Sequence, residues 1–268
     1  MRSRLRCDGA CVAGRAILAV CLTGVGVALL AGCGNDPPVA LPTATATAPQ
    51  DDRDQLAGLA AAAKDKRYVA TYVLTTAKRT DRTITVAVAS DGSWVVAVPG
   101  GALSGLADIA MFSSAAGTFQ CTLGASAGAA ETRPDLLPLP TGCAPMVQLT
   151  VATDPVVQHI FTDWIDPLVD RQTALSVAAA PPLPGAKGNC YSVESNSAAL
   201  APPVDPGVYC YERDGVLTAA QVSFGTLTLV GTVGAAPASV TMPGPVVNRP
   251  PLPVKAPPAA LSTATPKA

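Results

Sequence analysis

Between Tyr68 and Val98 apolar and polar residues alternate with a period of two, in the runs "YVATYVLTT" (68–76), "RTITVAVAS" (82–90) and "SWVVAV" (93–98). The runs are separated by "AKRTD" and by Asp91-Gly92. β-Branched and aromatic residues in period two, punctuated by turn residues, predict an antiparallel meander. "DIAMFSS" and "GTFQCTL", around Gly117, predict a further hairpin, and "MVQLTVAT" (Met146 to Thr153) another strand.

The period then lengthens. In "DPVVQHIFTDWIDPLVDRQTALSV" the residues Val156, Val157, Ile160, Phe161, Trp164, Ile165, Leu168 and Val169 recur in pairs four apart, which builds a broad apolar helical face. Asp154 and Asp166 each precede a proline, so each is a candidate N-cap with Pro155 or Pro167 at the first helical position. This predicts two short helices rather than one long one. Strand-like runs resume at "NCYSVE", "GVYCYER", "VLTAAQVSF" and "TLTLVGTV", with a turn at Asp214-Gly215. Ahead of the first strand, "DDRDQLAGLAAAAKDKR" places Asp51, Asp52 and Asp54 in a first helical turn and Lys64, Lys66 and Arg67 in a last one. That polarity complements the helix dipole, and the alanines favour helix. Helix, strands, helical insert and more strands in this order predict an α+β fold, with helices against one side of an antiparallel sheet.

Upstream, Arg2, Arg4, Arg6 and Arg15 precede the uncharged run "AILAVCLTGVGVALL" (16–30). A basic stretch followed by an apolar run shorter than the roughly 20 residues needed to span a bilayer predicts a signal peptide over residues 1–32 rather than a permanent membrane helix. Leu30-Ala31-Gly32-Cys33 resembles the bacterial lipobox, which implies cleavage before Cys33 and attachment of a diacylglyceryl group to its thiol. The chain is thereby expected at the extracytoplasmic face of a cell membrane, held by a lipid anchor.

Of the eight cysteines, Cys7, Cys11 and Cys21 fall in the removed segment and Cys33 takes the lipid, leaving Cys121, Cys143, Cys190 and Cys210. An even remainder in an exported chain predicts two disulfides. Three pairings are open; the local one, Cys121 with Cys143 and Cys190 with Cys210, closes two loops of similar modest size. Zinc ligation needs paired short spacings such as CxxC, which are absent from this sequence, so no metal or cofactor is expected. Removing the four arginines and one aspartate ahead of Cys33 leaves 14 basic and 18 acidic residues. Without a basic stripe, and with few aromatics, nucleic-acid binding is not expected.

Composition sets the domain limits. Residues 33–50, including "GNDPPVALPTATATAPQ", are too rich in Pro, Thr and Ala to bury apolar surface, and read as a tether. Residues 51–242 suit one domain with a sizeable core. "PGPVVNRPPLPVKAPPAALSTATPKA" (243–268) reads as a Pro-rich disordered tail.

The lipobox, the tether, the N-terminal helix, the long meander with helices in its middle and an ending of the type "FGTLTL...ASVTMPGPV" together resemble the LolA-like lipoproteins, of the LppX/LprG type found in mycobacteria and related actinobacteria. The features run from about Asp51 to Val246. The resemblance implies a strongly curved antiparallel half-barrel with helices packed on its concave face, able to hold acyl chains, and hence a lipoprotein that binds or transfers a lipid or other hydrophobic molecule. A non-catalytic envelope protein with a filled core is the other reading of the same pattern.

Catalytic signals are sparse. His159, the only histidine, shares one helical stripe with Asp163, Asp166 and Asp170 if the helix runs through Pro167, a spacing able to support metal or acid-base chemistry. The simpler reading is the polar outer face of an apolar helix. "GASAG" (124–128) matches the G-x-S-x-G nucleophile elbow with Ser126, but that motif needs a histidine base delivered by the fold, and His159 is the only one present. The expectation is a protein without catalytic residues.

Overall fold

The structure, a computed structural model, describes residues 51–77, 79–147, 150–196 and 202–257. The expected signal segment, the lipid site at Cys33 and the tether lie outside the described residues. Among the described residues no helix is long and apolar enough to cross a membrane.

Helix α1 (Asp52–Asp65) precedes strands β1 (Tyr68–Thr75), β2 (Arg82–Val88), β3 (Trp94–Ala102), β4 (Ala107–Ser114) and β5 (Gly117–Ala125). A single turn, α2 (Ala129–Thr132), and strand β6 (Gly142–Pro145) follow. The insert consists of a 3-10 helix (Val156–Phe161) and α3 (Ile165–Val169). Strands β7 (Leu175–Ala180), β8 (Asn189–Ser195), β9 (Gly207–Tyr211), β10 (Leu217–Val222) and β11 (Gly225–Gly234) complete the fold. The class is α+β, as the pattern of periods predicts.

All eleven strands form one open sheet in the order β6-β5-β4-β3-β2-β1-β11-β10-β9-β8-β7. Two meanders run outward from a central β1–β11 seam, where Tyr72 lies opposite Leu229 and Leu74 opposite Leu227 in antiparallel register. The consecutive strands β6 and β7 are therefore the two opposite edges. Ten inter-strand steps of about 4.8 Å put them roughly 48 Å apart along the sheet, so the connection between them must traverse a face. That connection carries the insert. Its Val157, Ile160, Phe161 and Leu168 share one buried cluster with Leu56 and Ala60 of α1 and with the alternate strand residues Tyr72, Ile84, Val96, Tyr209 and Leu227. The rings of Phe161 and Tyr72 lie 4.9 Å apart between centroids.

The opposite face has two smaller clusters, each built on a disulfide. Cys121–Cys143 joins directly opposed residues of β5 and β6, beneath Val240 and Met242. Cys190–Cys210 joins β8 and β9, beneath Leu183 and Ala186. The pairing is the local one.

Several sequence expectations change. Among the described residues of Met146–Thr153, none lies in a strand. The edge strand is Gly142–Pro145, and Val147 and Val151 are almost fully exposed, so their side chains have no sheet face to bury. The last residues of the segment read as helical, Leu175 to Val177, belong instead to β7 (Leu175–Ala180), whose backbone pairs with β8 in continuous register. Neither Asp154 nor Asp166 caps a helix: the residues ahead of the two helical turns are Pro155 and Trp164.

The composition predicts disorder from Pro243 onward, yet residues 243–257 form an ordered strap. Leading into it, Val240 and Met242 lie on the disulfide-bearing face. The chain then rounds the β6 edge, where Val246 makes a parallel bridge to Cys143, and Leu252 and Ala256 return against the helix-bearing cluster. Only glycine permits the close crossing at residue 142: its φ is +122°, and a Cβ there would stand 2.6 Å from Val247. Backbone bonds complete the clasp, with Leu103 N–H donating to Pro253 O (2.8 Å) and Ser104 N–H to Val254 O (2.7 Å). Both donors are non-glycine residues at positive φ, 53° and 59°, a conformation that persists only when its surroundings hold it. Residues 258–268 lie outside the described residues.

Candidate functional site

The 3-10 helix Val156–Phe161 lies between two cavities on the helix-bearing side. At its C-terminal end, Ile160, Phe161 and Thr162 line a space of about 270 Å³ with Tyr68, Val88 and Trp94. At its N-terminal end, Val156 and Val157 line one of about 420 Å³ with Leu74, Val98, Phe224 and Val254. The two sit at opposite ends of β1–β3, and the Phe161–Tyr72 contact occupies the middle. Strands β2 and β3 thus contribute mainly their ends to the two cavities; Ile84, Val86 and Val96 are fully buried core.

The larger cavity has an apolar floor and a cationic rim. Arg79, from the β1–β2 turn, and Arg82, at the start of β2, line its mouth together with Lys255 of the strap. A shallower groove of about 640 Å³ continues past both arginines to Asp108 and Ser126. Arg82 Nη1 makes two long bonds to Pro99 O (3.3 Å) and Gly100 O (3.4 Å), while its Nε is buried without a partner. Arg79 Nη2 reaches Ser104 O at 3.4 Å, and its guanidinium lies against Gly105, where a Cβ would come within 3.3 Å of Nη1. Among the described residues, neither arginine has an ion-pair partner. Burial lowers the Arg82 pKa from its ordinary value, and the neighbouring charge of Arg79 lowers it further. The groove wall also carries the carboxylates of Asp81, Asp108 and Glu131; Asp108 Oδ1 accepts from the Gly100 N–H (2.7 Å) and from the Ser126 hydroxyl.

His159 stands behind this helix rather than in either cavity. Its Nδ1 meets Asp163 Oδ2 at 2.7 Å and its Nε2 meets the buried Asp154 Oδ2 at 3.0 Å, with the ring stacked on Trp164. Burial alone disfavours the imidazolium, but the hydrogen bonds it donates to the two aspartates outweigh it and raise the pKa to about 9. The four-residue stripe does not assemble. Asp166 pairs with Lys64 of α1 at 2.7 Å, and Asp170 accepts from the Gln172 N–H and the Thr173 hydroxyl. Among the described residues, no group of three or more acidic, histidine or cysteine side chains is placed to hold a metal ion. Ser126 follows β5 and precedes α2, so the motif does sit on a strand-to-helix turn. Its hydroxyl donates to Asp108, and both ring nitrogens of His159 are engaged by other carboxylates, so serine and histidine do not form a nucleophile–base pair.

Arg79, Arg82 and Lys255 belong to no motif that marks them in the sequence. A signal is present nonetheless: two arginines three apart flank a hairpin turn with one acid, Asp81, between them. What hid it is that the turn's depth relative to the insert depends on the β6-to-β7 connection. In comparisons with known proteins, no family model matches the sequence and no curated protein matches it.

Proposed function

We propose that this chain is an envelope lipoprotein, anchored to the cell membrane through Cys33, whose domain takes up the apolar part of a lipid or similar amphiphile between the insert and the sheet. The LolA-like arrangement, a curved half-barrel with helices on its concave face, is the architecture this reading uses. The open eleven-stranded sheet and the insert's contacts with it support the reading. The observation that carries it is the cavity of about 420 Å³ floored by Leu74, Val98, Val157 and Phe224. Its size falls within the range of small-molecule sites, and its lining suits an acyl chain. Exposed Val151 and Val156 at the adjoining surface extend the apolar path outward.

Native mass spectrometry of the purified full chain, paired with titration of a dansyl-labelled fatty acid, tests this. The expected result is a co-purifying lipid or saturable probe uptake, weakened at least tenfold by Val254→Trp, which fills the cavity from the strap without altering the sheet. Absence of both bound lipid and probe uptake overturns the proposal. The Phe161–Tyr72 contact, which closes the space between the two cavities, favours the second reading: an interaction protein of the envelope that works through its surface. A negative outcome in both measurements selects it.

A further inference from the structure

The cavity's mouth carries a feature that an acyl chain alone does not use. Arg79 and Arg82 face the same opening from the β1–β2 turn, Lys255 approaches it from the strap, and the floor between them is apolar. Two guanidiniums without carboxylate partners are held together at the end of a hydrophobic slot, although like charges repel. Arg82 is half-buried, its two hydrogen bonds are long, and its Nε is buried without an acceptor. An unpaired buried donor costs free energy that an anionic acceptor recovers, and guanidinium bonds to phosphate or carboxylate oxygens are among the strongest in proteins. Asp81, Asp108 and Glu131 line the adjoining groove, yet none forms an ion pair with either arginine, and Asp108 Oδ1 is turned to the Gly100 amide and the Ser126 hydroxyl.

We infer that the Arg79–Arg82 pair is a headgroup site, and that the preferred ligand is an anionic amphiphile, with a phosphate monoester or diester at the arginines and its chain in the slot beneath Val157 and Phe224. The inference rests on the cavity reading above. Lys255 adds a third positive charge from the strap, so docking of the strap and binding of the anion support each other. Arg79, the exposed one, supplies the outer contact, and half-buried Arg82 the inner one.

The test separates headgroup from chain by titrating the full chain calorimetrically with dodecyl phosphate, dodecanol and inorganic phosphate. Dodecyl phosphate is expected to bind at least tenfold more tightly than dodecanol, with inorganic phosphate much weaker than either. In the Arg79→Gln/Arg82→Gln variant the advantage of dodecyl phosphate over dodecanol should fall to within twofold. Arg79→Gln alone, at an exposed position, serves if the double variant does not fold and should remove a severalfold part of the advantage. Equal binding of dodecyl phosphate and dodecanol, or a phosphate advantage that survives both variants, overturns the headgroup site and leaves the cavity reading standing. Failure of both dodecyl compounds to bind overturns the cavity reading itself. Inorganic phosphate binding as tightly as dodecyl phosphate overturns the amphiphile in favour of a free phosphate.

Discussion

Gln120 is the residue on which the strap turns. It lies in the middle of β5, has no exposed surface, and makes three bonds to chain segments far away in sequence. Its Nε2 donates to Thr153 O at 2.7 Å and to Leu252 O at 2.9 Å, and its Oε1 accepts the Leu252 N–H at 2.6 Å. Gln120→Ala removes all three and leaves one amide and two carbonyls without partners. At about 1 kcal/mol net for each bond the loss is about 3 kcal/mol, and the space left by the deleted side chain adds roughly 1 more. Against a typical domain stability of about 5–15 kcal/mol, a loss of about 4 is large. It should also be local, since two of the bonds hold the strap and one the β6–β7 connection at Thr153, and none joins strand to strand. Urea denaturation gives the magnitude, and hydrogen exchange at Leu103, Ser104 and Val254, whose amides bond between the strap and its neighbours, gives the location. A loss under about 1 kcal/mol with exchange at those three amides unchanged would refute the reasoning that buried side-chain bonds fasten the strap.

Two further outcomes follow from the covalent and ionic links. Reducing Cys121–Cys143 and Cys190–Cys210, with sequence separations of 22 and 20, should cost about 3 kcal/mol each in the chain-entropy treatment, read as a stepwise fall in Tm for Cys121→Ser/Cys143→Ser, Cys190→Ser/Cys210→Ser and the fully reduced protein. For His159 the folded-state pKa, about 9, lies above the ordinary 6.5, so its contribution to stability is complete below pH 6.5 and is lost as pH rises through 9. The stability difference between the wild type and His159→Gln in urea should therefore shrink over that window, and a difference that stays flat from pH 6.5 to 9 would show that the folded-state pKa is not raised.

The period-two runs of β1, β2, β5 and β8–β11 and the charge polarity of α1 are legible because each is a local matter of side-chain alternation or dipole complement. The pattern misleads at β5. There Phe119 and Cys121 alternate with Thr118, Gln120 and Thr122, which by itself reads as an apolar face inward and a polar face to solvent. In the fold, both faces are covered: Phe119 and Cys121 lie under Val240 and Met242, while Gln120 and Thr122 lie under the strap, bonded to Leu252 and Arg249. A strap of prolines offers unpaired carbonyls and few side chains, so the surface that receives it must be polar, and the strand's polar face is its docking surface. Composition cannot reveal this, because the bonds join residues more than a hundred positions apart. The arginine pair was hidden for the same reason. Arg79 and Arg82 are visible as turn residues, but the apolar slot below them exists only once the insert from the opposite sheet edge lies over β1–β3.

On the proposed lipid-binding reading, the distribution of links identifies which part of the domain would have to move to admit a longer chain. The disulfides stiffen β5–β6 on one side of the sheet and β8–β9 on the other, both on the face away from the cavities. The insert has no covalent link and is fastened chiefly by Val157, Ile160, Phe161 and Leu168. Lifting those four side chains from the sheet costs roughly 6–12 kcal/mol at the usual 1.5–3 for a buried apolar residue. An acyl chain returns about 0.8 kcal/mol per buried methylene, so twelve carbons recover about 10 kcal/mol and six only about 5. Short chains therefore fit the existing slot at Leu74 and Val98, whereas merging it with the space at Tyr68 and Trp94 requires a chain long enough to replace what Phe161 loses from Tyr72. The exposed Lys64–Asp166 pair adds little to that barrier. The insert is thus the adjustable wall of the cavity, and the stapled sheet its fixed one.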